Sequence, residues 1–366
     1  MKTYKFRLSP SKSQRTKLLQ TLELCRWVFN ETLATRKNAW KQEKKSITRF
    51  DTIKLLPIWK VEKPELSQVL QEVCTRVDLA FQSFFRRVKE GAEKVGYPRF
   101  KGYGRYDSFT YPQTGFELLD NGLLLSKIGV LKIIQHRPIE GRIKTLHIQR
   151  DAVGNWYACF ACEVEPTPLP FNDLAVGIDV GLTTFATLSN GVTVDNPRFF
   201  RREEVELGKA QRRYSTDKSP KRRKVIAHIH QRIANRRKDF AHKLSREFVN
   251  IYGAIFFENL SIKNMMQNHH LAKSIGDAAW SQLIQYTQYK AVNAGRVCEL
   301  VDPRGTSQRC SGCGSVVQKD LSVRVHDCPS CGMVLDRDLN ASLNIEALGL
   351  ESLGYALEAP AFMRGE

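Results

Sequence analysis

Leu174-Ala175-Val176-Gly177-Ile178-Asp179-Val180-Gly181 is the stretch on which the fold reading turns. A short apolar run bounded by turn residues is a buried strand. Asp179 closes the apolar part of that run, and a lone carboxylate in such a strand is costly unless something pairs with it. Thr183 to Leu188 reads as a second strand, and Asn190-Gly191 turns into a third near Val192-Thr193-Val194. A long basic helix follows over much of 201–250. Ala254-Ile255-Phe256-Phe257-Glu258 is another apolar strand ending in an acid. Residues 275–294 have a helical pattern, and Val297 to Val301 is a further strand. A hairpin, a helix and buried strands ending in acids fit an RNase H-like α/β fold.

A third acid joins the two strand-end carboxylates. Asp338 lies in Asp336-Arg337-Asp338-Leu339-Asn340-Ala341, at the start of a helix, where it could instead cap backbone N–H groups. Gathered in space, Asp179, Glu258 and Asp338 would share divalent cations that neutralise them. Mg²⁺ prefers such hard oxygen ligands. Two Mg²⁺ ions about 4 Å apart would activate a water and stabilise the leaving 3′ oxygen of a phosphodiester. The trio is therefore read as catalytic and Mg²⁺-binding, in a phosphodiester hydrolase acting on DNA. The competing reading is three unrelated salt-bridge partners.

Cys310-Ser-Gly-Cys313-Gly and Cys328-Pro-Ser-Cys331-Gly are two CxxC knuckles separated by fifteen positions. This spacing predicts a Zn²⁺ ribbon with Cys310, Cys313, Cys328 and Cys331 as ligands, the glycines allowing the tight turns. Four sulfurs leave no open coordination position, so the site is structural. Cys159-Phe-Ala-Cys162 has the same spacing but falls in a strand pattern, where residues three apart face opposite sides; these two read as core cysteines. His269-His270 reads as a surface loop feature.

The chain carries 57 Lys+Arg against 38 Asp+Glu, a formal net charge of +19. The basic residues cluster: 201–250 holds 16 against 6 acids and 1–50 holds 13 against 3. Clustering favours a polyanionic partner over a merely well-solvated surface. Aromatics stand among the basic residues of the first hundred positions (Tyr4, Phe6, Trp27, Phe29, Trp40, Trp59), which suits unpaired bases. No apolar run approaches the length of a membrane span, and Met1-Lys2-Thr3-Tyr4-Lys5-Phe6 lacks a signal peptide's apolar core. A cytoplasmic, nucleoid-associated protein with no membrane partner is the expectation.

The N-terminal half begins with an alternating strand over 2–8. Ser11 caps a helical pattern running to about Lys37, and a second helix covers roughly 65–94 with Val69, Leu70, Val73, Val77, Phe81, Phe84 and Phe85 on its apolar side. Short strands between 106 and 165, including Leu123-Leu124-Leu125, Val130 to Ile134 and Trp156 to Phe160, suggest a small barrel or sandwich. The first strand is expected to join it, leaving the helices as an insertion. Pro166, Pro168 and Pro170 mark a linker. Arg86, Arg87, Arg232, Arg236 and Arg237 are candidate nucleic-acid contacts, with Ser67, Gln68 and Gln71 as candidate base readers, since Gln pairs bidentately with adenine.

Taken together, Gly177-Ile178-Asp179-Val180-Gly181, Phe257-Glu258-Asn259-Leu260, the two knuckles and Asp336-Arg337-Asp338-Leu339-Asn340-Ala341 resemble TnpB, the insertion-sequence proteins related to type V CRISPR effectors. Tyr4 to Leu8 with Cys25 to Asn30, Tyr97-Pro98-Arg99-Phe100-Lys101, Arg232 to Phe240 and Asp302 to Gln308 extend the resemblance to about residue 349. The resemblance implies a wedge-like β-barrel (1–10 and 98–171) with an inserted helical recognition region (11–97). It further implies a RuvC-like nuclease domain (172–305 and 335–349) interrupted by a zinc ribbon (306–334), then a C-terminal tail (350–366). It puts the catalytic acids at Asp179, Glu258 and Asp338. The implied activity is RNA-guided cleavage of double-stranded DNA beside a short transposon-adjacent motif. The guide RNA would come from the transposon end, and the protein would be a monomer in complex with it. Two rival readings use the same features. A DNA-strand transferase would attack with a DNA 3′-hydroxyl and need no RNA, and a non-cleaving regulator would be indifferent to Asp179→Ala.

Overall fold

The structure, a computed structural model, describes residues 1–59, 67–320 and 323–354, with the Ser67 side chain outside that set. The chain divides into two compact units, Met1–Val164 and Glu165–Glu366. Among the described residues no helix is long and apolar enough to cross a membrane.

The first unit begins with β1 (Lys2–Ser9), then α1 (Lys12–Glu43), α2 (Arg49–Trp59) and α3 (Ser67–Lys89). Six strands follow: β2 (Ser108–Tyr111), β3 (Phe116–Leu119), β4 (Gly122–Leu125), β5 (Gly129–Ile134), β6 (Arg142–Arg150) and β7 (Trp156–Glu163). The sheet order is β2-β6-β7-β1-β5-β4-β3, and every neighbouring pair is antiparallel. β1 therefore sits at the centre, as its alternation foretold: Tyr4, Phe6 and Leu8 are buried and the residues between them face out. The two edge strands, β2 and β3, are only four residues apart in sequence. The Tyr111 and Phe116 rings bridge them with centroids 6.3 Å apart, so the sheet curls into a nearly closed barrel.

Ser11 caps α1 through a capping box with Gln14. The helix runs to Glu43, beyond the expected end at Lys37, because no glycine or proline stops it; Lys44 closes it in the left-handed conformation at φ 53°. Along α3, Val69, Leu70, Val73, Val77 and Phe81 share the barrel's core. Phe85 does not: it is 59 % exposed and stacks on Phe81.

The second unit holds β8 (Ala175–Val180), β9 (Thr184–Leu188), β10 (Thr193–Asp195), α4 (Phe199–Thr216), α5 (Pro220–Ile251) and β11 (Ala254–Glu258). These are followed by α6 (Ile262–Met265), α7 (Ala272–Ala278), α8 (Trp280–Ala294), β12 (Val297–Val301), β13 (Val325–Asp327), β14 (Val334–Asp336) and α9 (Arg337–Ser352). Its sheet has the order β10-β9-β8-β11-β12, with β8, β11 and β12 parallel and the β8–β9–β10 meander antiparallel. The single basic helix expected over 201–250 is two, because Ser219 and Pro220 start a new N-terminus. The pattern at 275–294 is likewise split, at Ala279 (φ 56°).

Alternation sorts this sheet into two faces. Val176, Ile178, Ile255 and Phe257 pack with α5 and α8 around Leu244, Phe248, Leu283 and Ala291. Phe256 points the other way, onto Ile345 of α9. Thr167 and Leu169 donate to the carbonyls of Asn293 and Ala294, which ties the proline-rich segment to this unit.

Candidate active site

The strand register brings the first two acids together. Phe256 lies opposite Gly177 and Phe257 opposite Ile178, so Glu258 follows beside Asp179. Both fall on the α9 face, by the alternation that buries Ile178 and Phe257 on the other side. α9 supplies the third acid. Asp336 is the helix N-cap and accepts from the Asp338 and Leu339 amides at 2.8 and 3.1 Å. The capping role open to Asp338 in the sequence is thus filled by Asp336, and the Asp338 carboxylate is directed elsewhere.

Asp179 feels both of the other acids. Burial, then the charges of Glu258 and Asp338, pushes the Asp179 carboxyl up to about 8, against an opposing pull from Arg337. Burial also raises the Glu258 carboxyl, while the Thr306 hydroxyl that donates to its Oε1 lowers it. Arg337 forks onto Asp338 Oδ1 through Nε at 3.1 Å and Nη2 at 3.0 Å, and Arg324 Nη1 reaches Oδ2 at 3.5 Å. Arg324 also donates to the Thr183 hydroxyl at 3.3 Å. An all-oxygen donor set whose members repel one another suits a hard divalent cation, so these residues fit Mg²⁺.

The four knuckle cysteines form the second candidate centre. Their sulfurs all lie within 4.8 Å of one another. The Cys310–Cys331 and Cys313–Cys328 separations are both 3.6 Å. Four sulfurs about 2.3 Å from one tetrahedral ion stand about 3.8 Å apart, so the quartet fits such a metal. Each knuckle closes on its glycine: Gly314 and Gly332 donate back to the Cys310 and Cys328 carbonyls at 2.9 and 2.8 Å, both with φ near +75° (76° and 74°). Among the described residues no other group of three or more Cys, His, Asp or Glu meets that spacing, and the three carboxylates together do not. Cys159 and Cys162 face opposite sides of β7; only Cys162 is core, and Cys159 is half-buried. His269 and His270 are exposed in a loop.

The candidate nucleic-acid contacts are largely engaged within the chain. Arg232 and Arg236 each reach Glu203 at 3.0 Å, and Arg237 forks onto Asp277 at 2.8 and 3.0 Å. Arg87 donates to the Val95 and Gly96 carbonyls at 2.6 and 3.0 Å, and Arg86 lies exposed 4.0 Å from Glu90. Gln68 Oε1 accepts from the Thr114 hydroxyl at 2.8 Å, whereas Gln71 is exposed; the Ser67 side chain lies outside the described residues. Thr306, which touches Glu258, and Asn340 and Asn344, which hold the Thr306–Ser311 backbone, escaped the sequence reading. Their signal was present in Thr306-Ser307-Gln308 ahead of Cys310 and in two asparagines one helical turn apart.

Two parallel strands ending in acids, with a third acid from a capped helix, make up the candidate site. Comparison with known proteins names its kin. Residues 159–269 match the family model described as "Probable transposase" of the IS605 OrfB group, and 280–345 match the "Cas12f1-like, TNB domain". Residues 1–45 match a "Helix-turn-helix domain", although β1 and one unbroken helix occupy that span. A Streptomyces pristinaespiralis protein named "Putative RNA-guided DNA endonuclease" is 36 % identical, over 95 % of this chain and 89 % of its own length. An Escherichia coli (strain K12) protein of the same name with the suffix InsQ is 28 % identical over 95 % and 92 %. In fold, the chain resembles Cas12f1 from its sgRNA–target DNA complex (TM-score 0.56, 14 % identity, 91 % and 82 % covered). It also resembles the mini-RNA-guided endonuclease Cas_phi3 (TM-score 0.51, 10 %, 98 % and 93 %). The chain belongs to the TnpB family.

Proposed function

We propose that this chain is the RNA-guided DNA endonuclease of an insertion sequence. Its second unit would be an RNase H-like (RuvC) nuclease domain with an inserted zinc ribbon. The observation that supports the reading is that Glu258 and Asp338 lie near enough to Asp179 for their charges to raise its carboxyl, in a chain 36 % identical to a protein named for that activity. The first unit would comprise the wedge-like barrel with its helical insertion. Its exposed basic and aromatic residues, with the net charge of +19, support contact with nucleic acid. Guide RNA and double-stranded target DNA are the partners in this reading. Base pairing selects the target, and the protein reads only a short flanking motif. A monomeric chain on its RNA, in a bacterial or archaeal cytoplasm, completes the proposal.

In the reaction, a water oxygen adds to the scissile phosphorus and the bond to the 3′ oxygen breaks, leaving 5′-phosphate and 3′-hydroxyl ends. Asp179, Glu258 and Asp338 would hold Mg²⁺, two ions in the fullest version, which when bound activates the water and stabilises the leaving oxygen. The chain's own part is to bring Glu258 and Asp338 within reach of Asp179 despite the repulsion that raises the Asp179 carboxyl. Arg337 and Arg324 balance Asp338 from one side, and Thr306 fixes one oxygen of Glu258. Cys310, Cys313, Cys328 and Cys331 would hold the structural Zn²⁺.

Sequencing the RNA that co-purifies with the protein, followed by cleavage of a matching target, tests this reading. An enriched species from the element's end and Mg²⁺-dependent cutting of a target matching that RNA are expected. Joining of transposon ends without RNA would replace the proposal with a strand transferase.

A further inference from the structure

The two oxygens of Glu258 have different surroundings. Oε1 accepts from the Thr306 hydroxyl, while Oε2 meets no hydrogen-bond donor among the described residues. Thr306 is 4 % exposed and Glu258 8 %, so water competes poorly for that bond. The same hydroxyl lies 3.2 Å from the Pro303 carbonyl. It has one proton to give, and the charged carboxylate is the stronger acceptor.

Thr306 is in turn held by α9. Asn344 Nδ2 donates to the Thr306 carbonyl at 2.8 Å and to the Arg309 carbonyl at 2.7 Å. Asn340 Nδ2 donates to the Arg309 carbonyl at 2.8 Å, and its Oδ1 accepts from the Ser311 amide at 2.9 Å. Both amides are buried. One helix therefore carries Asp338 and the two side chains that fix the loop bearing Thr306. A glutamate at a strand end has a freely turning terminal torsion unless something grips one oxygen.

We propose that Thr306 is a positioning residue for Glu258: its hydroxyl holds the carboxylate in one orientation and leaves the second oxygen for a divalent cation. This rests on the reading of Glu258 as a catalytic acid. Contacts of this kind behind a metal ligand typically change metal affinity by about 10–100-fold when removed.

The test uses the full-length chain. Mn²⁺ binding is measured by the loss of the free-ion EPR signal on RNA-free protein, and the Mg²⁺ dependence of cleavage on the guide-RNA complex. Thr306→Val should weaken Mn²⁺ binding at least about tenfold and shift the Mg²⁺ curve to higher concentration by a similar factor. Thr306→Ser, which keeps the O–H, should restore both. Should Thr306→Val fail to fold, Asn344→Ala probes the same support and should weaken Mn²⁺ binding in the same direction. Unchanged Mn²⁺ affinity in whichever of these two variants folds, or a Thr306→Ser protein as impaired as Thr306→Val, overturns the proposal. Glu258→Gln separates the two readings. If it still cuts at the wild-type rate, the catalytic assignment fails. If it is inert while Thr306→Val behaves as wild type, only the positioning role is lost.

Discussion

A β-carbon placed on Gly177 would stand 2.1 Å from the carbonyl oxygen of Ser342 and 2.4 Å from the amide nitrogen of Glu346. α9 thus lies directly on the β8 backbone, and this close approach brings the N-terminal end of the helix, with Asp338, toward Asp179. Both obstructing atoms are backbone, so Gly177→Ala cannot be absorbed by turning a side chain. The variant should lose at least the about 1–3 kcal/mol of ordinary overpacking, read as a lower thermal midpoint, and its cleavage should fall further than its stability. Gly349→Ala should be costly as well, because an added β-carbon would meet Phe256 Cγ at 2.1 Å, at the root of a fully buried ring.

Removing one knuckle thiol should release the structural metal. The wild-type chain is expected to carry one zinc per molecule by elemental analysis, and Cys310→Ser none. The Ser311 amide and the Arg309 carbonyl beside Cys310 are gripped by Asn340 and Asn344, so the loss should loosen the Thr306 loop as well. Hydrogen exchange across 301–311 should rise on chelation, and an unchanged pattern would show that the knuckles and α9 are independent.

Asp277, on α7, ties that helix to two others. It accepts from the Phe200 amide at 2.8 and 3.0 Å, at the start of α4, and from the Arg237 fork on α5. Asp277→Ala leaves a half-buried guanidinium without its partner, a loss of about 3–5 kcal/mol. Replacing both partners with apolar residues of similar size should recover part of it in a double-mutant cycle of chemical denaturation.

Lys290 sets a pH signature. It is 5 % exposed and donates to the His242 carbonyl at 2.6 Å and the Ser245 hydroxyl at 2.7 Å. Burial, helped by the Arg246 charge, lowers its ammonium to about 8. The folded state releases that proton before the unfolded chain does, so the unfolded chain binds more protons between about 8 and 10.5, and stability rises with pH across that window. Below it the cost of the buried charge is fully present. Lys290→Met should therefore be at least as stable as wild type at pH 7. Its relative stability should decline by no more than about 3 kcal/mol towards pH 10.5, measured by denaturant midpoints.

The parts of the fold legible in the sequence are those where one signal dominates. β1, β8 and β11 announced themselves by alternation or apolar runs, and both knuckles by cysteine spacing. α2 was missed because its apolar residues are spread round the helix, Leu56 buried but Phe50 and Ile58 exposed, and Pro57 interrupts it, although Thr48 and Asp51 form a reciprocal cap at its start that the sequence displays. Within the strand-rich 106–165 region, β2 and β3 were not placed individually because four-residue strands take their stability from cross-strand partners, which a linear reading does not contain. For the acids, burial and strand position marked Asp179 and Glu258. What the sequence could not carry was the capping by Asp336 that redirects Asp338, or the arginines at 324 and 337 that face it. For the same reason Arg232, Arg236 and Arg237 read as free cations, when Glu203 and Asp277, distant in sequence, engage them.

The central claim is that Asp179, Glu258 and Asp338 act as one hydrolytic site. Cleavage and target binding by guide-RNA complexes of Asp179→Asn, Glu258→Gln and Asp338→Asn, measured side by side, test it most directly. We expect each complex to bind its target with wild-type affinity and cleave it at least about a thousandfold more slowly, each loss being as great as that of the triple variant, as for residues that act as a unit. Retained cleavage in any one of the three would contradict the shared site.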